Sequence, residues 1–193
     1  MKLDDKINYI VSGVVRSGTS MMMQILSAGE IPIAFEKKLR PSDEHNPKGY
    51  FELEGGKIID RLREGTLKID KYKGKFIKIT AYGLQYLPPG NYRIIYMERN
   101  LDEILDSMQK MAGIQDKDRN ATKESFRKLN EKIKKEMSTR EDVNVLLINY
   151  NNTLSSPEIT MKKIFNFLEQ PSMNLEKMIN TIDKSLYRER RTT

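Results

Sequence analysis

The sequence predicts an α/β protein with a central, mainly parallel sheet flanked by helices in three layers. Two observations carry this. Four short runs rich in β-branched and aromatic residues are apolar almost throughout rather than alternating, the look of strands covered on both faces. Helical patterns separate or follow them, and alternation of β and α elements argues for parallel pairing through crossover helices. The 193 residues contain no internal repeat, low-complexity segment or linker, so the expectation is a single domain over 1–193.

The elements follow in chain order. Residues 8–12 form the first strand, and Met21, Met22, Ile25 and Leu26 mark one face of the helix after it. Residues 33–50, with Pro41, Pro47 and Gly49, show no periodicity; in an α/β domain such a loop is more often a lid or substrate-binding loop than filler. Residues 75–80 and 92–97 are the next two strands. Leu101, Ile104, Leu105, Met108 and Met111 recur at helical spacing, with Asn100 as N-cap and Asp102 and Glu103 in the positive first turn. Phe126, Leu129, Ile133 and Met137 stripe a heavily charged helix, and residues 143–150 are the last strand. Ser156-Pro157-Glu158 is a start signal, a cap followed by Pro at the first helical position, for a helix ending near Glu169. Leu175, Met178, Ile179 and Ile182 suggest a short final helix.

Composition excludes several chemistries. There is no cysteine and one histidine, His45, so a disulfide scaffold, a thiol nucleophile, a thiolate metal site and a zinc centre built on several histidines are all ruled out. The net charge of +7 invites a nucleic-acid reading, but acidic residues are interleaved nearly everywhere. Even the densest basic stretch, 123–135, carries Glu124 and Glu131. A pocket for a smaller polyanion is the better use of the surplus, with no nucleic acid as partner. No window approaches a membrane span, and the opening Met-Lys-Leu-Asp-Asp-Lys has no apolar signal region behind it, which makes a cytoplasmic location the expectation.

The strongest single feature follows the first strand: Gly13-Val14-Val15-Arg16-Ser17-Gly18-Thr19-Ser20, then a helix. It has the frame of a P-loop, in which backbone N–H groups and a helix N-terminus surround a phosphate. Thr19 stands where a nucleoside-triphosphate hydrolase carries lysine, and the strand 92–97 runs into Glu98-Arg99, a cation where such an enzyme would want a carboxylate near Mg²⁺. Arg16 supplies the positive charge instead, and an arginine fork with backbone amides suits a lower-charged anion handled without a metal. A second motif is Arg99 with Ser107 eight residues on, at the carboxyl end of a strand and two turns into the next helix. Ligands of open α/β sheets bind at those strand ends.

With both motifs in place, the chain resembles the P-loop sulfotransferases that use 3′-phosphoadenosine 5′-phosphosulfate (PAPS), in particular a compact bacterial branch. Arg16-Ser17-Gly18-Thr19-Ser20 is similar to that family's 5′-phosphosulfate loop, and Arg99 with Ser107 to its 3′-phosphate motif. Asn46-Pro47-Lys48-Gly49-Tyr50-Phe51-Glu52, Asn149-Tyr150 with the turn after it, and the ending Leu186-Tyr187-Arg188-Glu189-Arg190 extend the likeness in the same order. The resemblance implies transfer of a sulfonate from PAPS to a hydroxyl or amine, releasing adenosine 3′,5′-bisphosphate, with no metal required. It implies that Arg16 stabilises charge on the leaving phosphate, helped by the Ser17, Gly18 and Thr19 amides and the Thr19 and Ser20 hydroxyls, while Arg99 and Ser107 hold the 3′-phosphate.

The general base departs from the better-known branch, where a histidine follows two residues after a lysine. Lys78-Ile79-Thr80 has threonine there. Glu52 is the leading substitute, its alternative reading being a first-turn helix carboxylate; His45 in a polar loop is the other. Lys78, a charge within an apolar strand, is expected to reach toward the pocket. The family's long basic C-terminal loop is not visible, and Arg188 and Arg190, with Arg191, could replace it. The acceptor, a small molecule, carbohydrate or peptide, is not legible, nor is a choice between monomer and homodimer. A P-loop kinase, or a protein of this fold that binds the nucleotide but is catalytically weak, remains as an alternative.

Overall fold

In the computed structural model, residues 2–37, 39, 42, 43, 49–113, 115–169, 174–183 and 185 are described. Four strands, β1 (Asn8–Gly13), β2 (Phe76–Lys78), β3 (Tyr92–Glu98) and β4 (Val143–Asn149), form one sheet in the order β2-β1-β3-β4. Every pairing is parallel, with Ile10 opposite Ile77 and Ile94, and Ile94 opposite Val145. The chain leaves β1 toward β2 on one side and places β3 on the other. The carboxyl ends of β1 and β3 therefore flank the crevice where the winding direction changes, the usual ligand position in such sheets.

Helices cover both faces. Those before β4 are α1 (Thr19–Ala28), α2 (Ile58–Arg63), α3 (Ala81–Leu84), α4 (Leu101–Ala112) and α5 (Arg119–Thr139); α6 (Tyr150–Ser155), α7 (Pro157–Leu168) and α8 (Leu175–Asn180) follow it. Strand residues alternate between two cores, as the two-residue side-chain period requires. Tyr9, Val11, Ile95 and Met97 pack with Met22 and Leu26 of α1, Met161 and Ile164 of α7 and Met178 of α8. Ile10, Ile77, Ile94 and Tyr96 pack with Ile58 of α2, Leu84 of α3, Ile104 of α4 and Ile133 and Met137 of α5. On α1, Met23 joins the buried face while Met21 is only partly covered.

Three local signals act as read. Asn100 caps α4 by accepting from the Asp102 N–H at 2.8 Å, Pro157 opens α7, and α8 buries Met178. Two readings are corrected. Strand β4 is covered less fully than expected: it is an edge strand whose side chains enter both cores, Leu146 and Ile148 one and Val143 and Val145 the other, but Ile148 is its one buried residue and Leu147 is 47% exposed. Its apolar run resembles a central strand because parallel strands share composition whatever their place in the order. Tyr150 is not the end of that strand but the first residue of α6, whose N-cap Asn149 accepts from the Asn152 N–H at 3.0 Å.

The basic residues of α5 are largely committed. Arg119 pairs with Asp106 at 2.7 Å, Lys123 with Asp102 at 2.6 Å and Lys134 with Glu98 at 2.6 Å, stitching α5 to α4 and to the end of β3. Arg127 pairs within its own helix with Glu124 and Glu131, both at 2.7 Å.

Candidate active site

The turn from β1 into α1 is built by close approach. Gly13 has φ 144° and Gly18 φ 102°, and a Cβ on Gly13 would strike the Met97 carbonyl while one on Gly18 would strike the Tyr150 ring. Arg16, between them, is itself left-handed at φ 65°, a conformation a non-glycine side chain adopts only when its surroundings impose it. Ser17 turns inward: its N–H donates to the Val14 carbonyl at 3.2 Å and its buried hydroxyl has no hydrogen-bond partner. Gly18 leaves α1 without a side-chain cap, and no acidic residue stands in the first turn. The leading N–H groups of α1 therefore have no intrahelical acceptor and present a partial positive charge at the sheet's switch point.

The two sequence motifs meet here. The Arg16 Nε donates to Ser107 Oγ at 2.9 Å. Ser107 is buried although it lies off the apolar stripe of α4, because that helix turns this side toward the loop. Arg99 donates from Nη1 to the Arg16 carbonyl at 3.2 Å and from Nε to Glu103 at 3.0 Å, and its guanidinium lies 4.4 Å from the centre of the Tyr150 ring. Burial pushes the Tyr150 phenol above its ordinary range, while the positive charges of Arg99 and Arg16 pull the other way.

The opposite wall is the segment around Tyr50. Its carbonyl accepts from Ser20 Oγ at 3.4 Å and from Lys78 Nζ, so the first turn of α1 and the end of β2 converge on one oxygen. Lys78 thus reaches out of its apolar strand as expected. The half-buried Glu52 follows two residues later, with its backbone carbonyl accepting from the Glu36 N–H at 2.8 Å. It precedes the 3₁₀ turn at Glu54–Gly56 rather than lying in a helical first turn. The backbone on either side is left-handed, φ 56° at Phe51 and 58° at Glu54, and such non-glycine strain collects at functional segments. Phe35 packs on Phe51 with ring centres 4.9 Å apart. Glu54 is buried; burial works to raise its carboxyl, but bonds from Lys71 and Tyr72 and the charges of Lys71 and Arg61 outweigh it and hold it below the usual range.

His45, Arg188 and Arg190 lie outside the described residues. Thr80, in the position of the histidine of the better-known branch, is the N-cap residue of α3. Among the described residues no group of three or more His, Asp or Glu side chains could hold a metal ion, and no helix is long and apolar enough to cross a membrane. Sequence reasoning took Glu103 for a helix-dipole charge and missed its part in this site. The available signal was its spacing, four residues after Arg99, which puts opposite charges on one helix face.

A parallel sheet whose switch point holds a glycine turn, an uncapped helix N-terminus and two convergent arginines defines an α/β protein with a positively charged crevice, an arrangement suited to an anion. The chain belongs to the sulfotransferase domain family, which it matches over residues 6–193. Among solved structures, the sulfotransferase domain of the Synechococcus PCC 7002 olefin synthase superposes with a TM-score of 0.56 at 13% identity, over 94% of this chain and 79% of that one. Retinol dehydratase, solved with androsterone and the inactive cofactor PAP, superposes with a TM-score of 0.51 at 16% identity, over 93% of this chain and 64% of its own. At these identities the likeness is one of fold. No curated protein matches the chain in sequence.

Proposed function

We propose that this member of the family transfers a sulfonate from PAPS to a hydroxyl or amine acceptor. The observation that carries the reading is the contact of Arg16 with Ser107 at 2.9 Å, which joins the loop that suits a 5′-phosphosulfate to the helix that suits a 3′-phosphate. The donor set fits such a nucleotide: uncapped amides at the start of α1, two guanidiniums, and hydroxyls at Thr19, Ser20 and Ser107. When bound, the donor supplies an activated sulfonate and leaves as adenosine 3′,5′-bisphosphate.

The residues divide the work by charge. Arg16 and the leading amides of α1 face the oxygen on which negative charge grows, and donors fixed in advance stabilise that charge without reorganising. Ser17 supports the loop from beneath, its N–H already used on Val14. Arg99 and Ser107 select the 3′-phosphate. Glu52, two residues after Tyr50, takes the acceptor's proton, with His45 as the substitute if Glu52 does not. We assign Arg188 and Arg190 to closing over the nucleotide, and the acceptor to the small-molecule, carbohydrate or peptide classes.

Thermal stability tests the nucleotide assignment directly. At about 100 times its dissociation constant, adenosine 3′,5′-bisphosphate should stabilise the protein by about 2.7 kcal/mol, without added metal. Adenosine 5′-phosphate at the same concentration should do much less, and Arg99→Ala should erase the difference. Equal shifts from the two nucleotides in the wild type would remove the 3′-phosphate assignment.

A further inference from the structure

Arg99 is an unusual anion ligand, because most of it is already spoken for. Its side chain is 7% exposed, and Glu103, its ion-pair partner, is 1% exposed. A buried carboxylate is retained only when paired and hydrogen-bonded, since its desolvation otherwise outweighs any attraction. Glu103 meets that condition twice: Oε2 accepts from Arg99 Nε at 3.0 Å and Oε1 accepts from Asn151 Nδ2 at 3.3 Å. One carboxylate thus ties α4 to the start of α6. The neighbouring Tyr150 closes the arrangement by laying its ring against both the Arg99 guanidinium and Gly18.

The consequence runs into the loop. With Nε held by Glu103, the planar guanidinium has one orientation, and in it Nη1 donates to the Arg16 carbonyl at 3.2 Å. That carbonyl belongs to the left-handed residue of the turn, φ 65°, whose side chain in turn reaches Ser107 at 2.9 Å. A hydrogen bond to the carbonyl of a strained residue favours the strained peptide orientation over its relaxed alternatives. The buried carboxylate therefore stands behind both arginines, one directly and one through the backbone.

We infer that Glu103 is a positioning residue for nucleotide recognition: it orients Arg99, and through the Arg99 bond to the Arg16 carbonyl it sets the left-handed turn that aims Arg16. It touches no ligand itself. The inference rests on the nucleotide assignment made above and adds the element that holds that site in shape. It also accounts for why Glu103 is buried at all, which its place in the first turn of α4 does not require.

The test is a double-mutant cycle read by nucleotide binding, measured by calorimetry with adenosine 3′,5′-bisphosphate and with adenosine 5′-phosphate. Glu103→Gln keeps the shape but loses the charge, and should lower affinity for the bisphosphate by about tenfold. It should also reduce the preference for the bisphosphate over the monophosphate, a ratio that a merely structural loss of folded protein would leave unchanged. In an Arg99→Met background the same Glu103→Gln change should have no further effect on the affinity for the bisphosphate, because its route through Arg99 is gone. Asn151→Ala, which removes the outer support of the carboxylate, should act in the same direction and more weakly, and covers the case in which Glu103→Gln does not fold. If the wild type prefers the bisphosphate and Glu103→Gln or Asn151→Ala keeps that preference in full, the positioning role is wrong while the nucleotide assignment stands. A wild type that does not prefer the bisphosphate overturns both. An equal loss from Glu103→Gln with and without Arg99 assigns Glu103 to general stability and overturns the inference.

Discussion

At the scale of single residues, the site is a set of side chains with separable jobs, and substitutions should separate them. On the proposed mechanism Arg16→Ala removes a donor aimed at developing charge, and turnover should fall by about 10²–10³-fold with the fold intact, as read from single-turnover rates beside circular dichroism. Glu52→Gln should lower turnover by about 10²-fold or more without weakening nucleotide binding; an unaffected rate would transfer the proton to His45. Gly18→Ala should be poorly tolerated even though it adds one methyl group, since the methyl meets the Tyr150 ring and the residue sits at φ 102°. The motifs of Arg16, Arg99 and Ser107, which the fold brings together, were legible because phosphate-loop and strand-end spacings are local. The pairing of Glu103 with Arg99 was open to the same local spacing, but its burial and its bond to Asn151 were not, because Asn151 is 48 positions away and only folding makes them neighbours.

At the scale of elements, the supports of the site carry their own expectations. Helix α4 holds Ser107 and is started by Asn100, so Asn100→Ala should cost about 1 kcal/mol of stability by losing the cap, visible as a lower denaturation midpoint. The strands set a pH window. Burial pushes the Tyr92 phenol on β3 up to about 12, so its contribution is fully present below about pH 10 and is lost as pH rises through about 12. Ahead of β4, hydrogen bonds from Arg140 hold the Asp142 carboxyl down at about 2, against burial. That contribution is present above about pH 4 and is lost as pH falls through about 2. Melting temperature against pH should decline at both ends, and Tyr92→Phe should blunt the alkaline limb alone. The longer helices were legible because several turns of periodicity accumulate in each. The six-residue α8 was legible as well, through Leu175, Met178 and Ile179, but α2, α3 and α6, with 6, 4 and 6 residues, were not, and packing against α5, β4 and one another decides them.

For the whole molecule, the basic residues include groups placed very differently. Arg119, Lys123 and Lys134 of α5 bind α4 and the end of β3, while Arg16 and Arg99 converge at the switch point of the sheet. Truncation after Leu186 tests the remaining basic group: affinity for adenosine 3′,5′-bisphosphate should drop if Arg188 and Arg190 close over it, and unchanged affinity would free the tail of that role. The sequence by itself determined the alternation of strand and helix, the glycine turn and the two arginine motifs, because each rests on periodicity or steric rules acting over a few residues. Only the tertiary structure decided that β4 is an edge strand, that the Tyr50 carbonyl joins α1 to β2, and that Glu103 stands behind Arg99 and Arg16. Apart from the Glu103–Arg99 pair, four positions apart, those rest on contacts between residues tens of positions apart, and they exist only once the parallel sheet brings the carboxyl ends of its strands to one side.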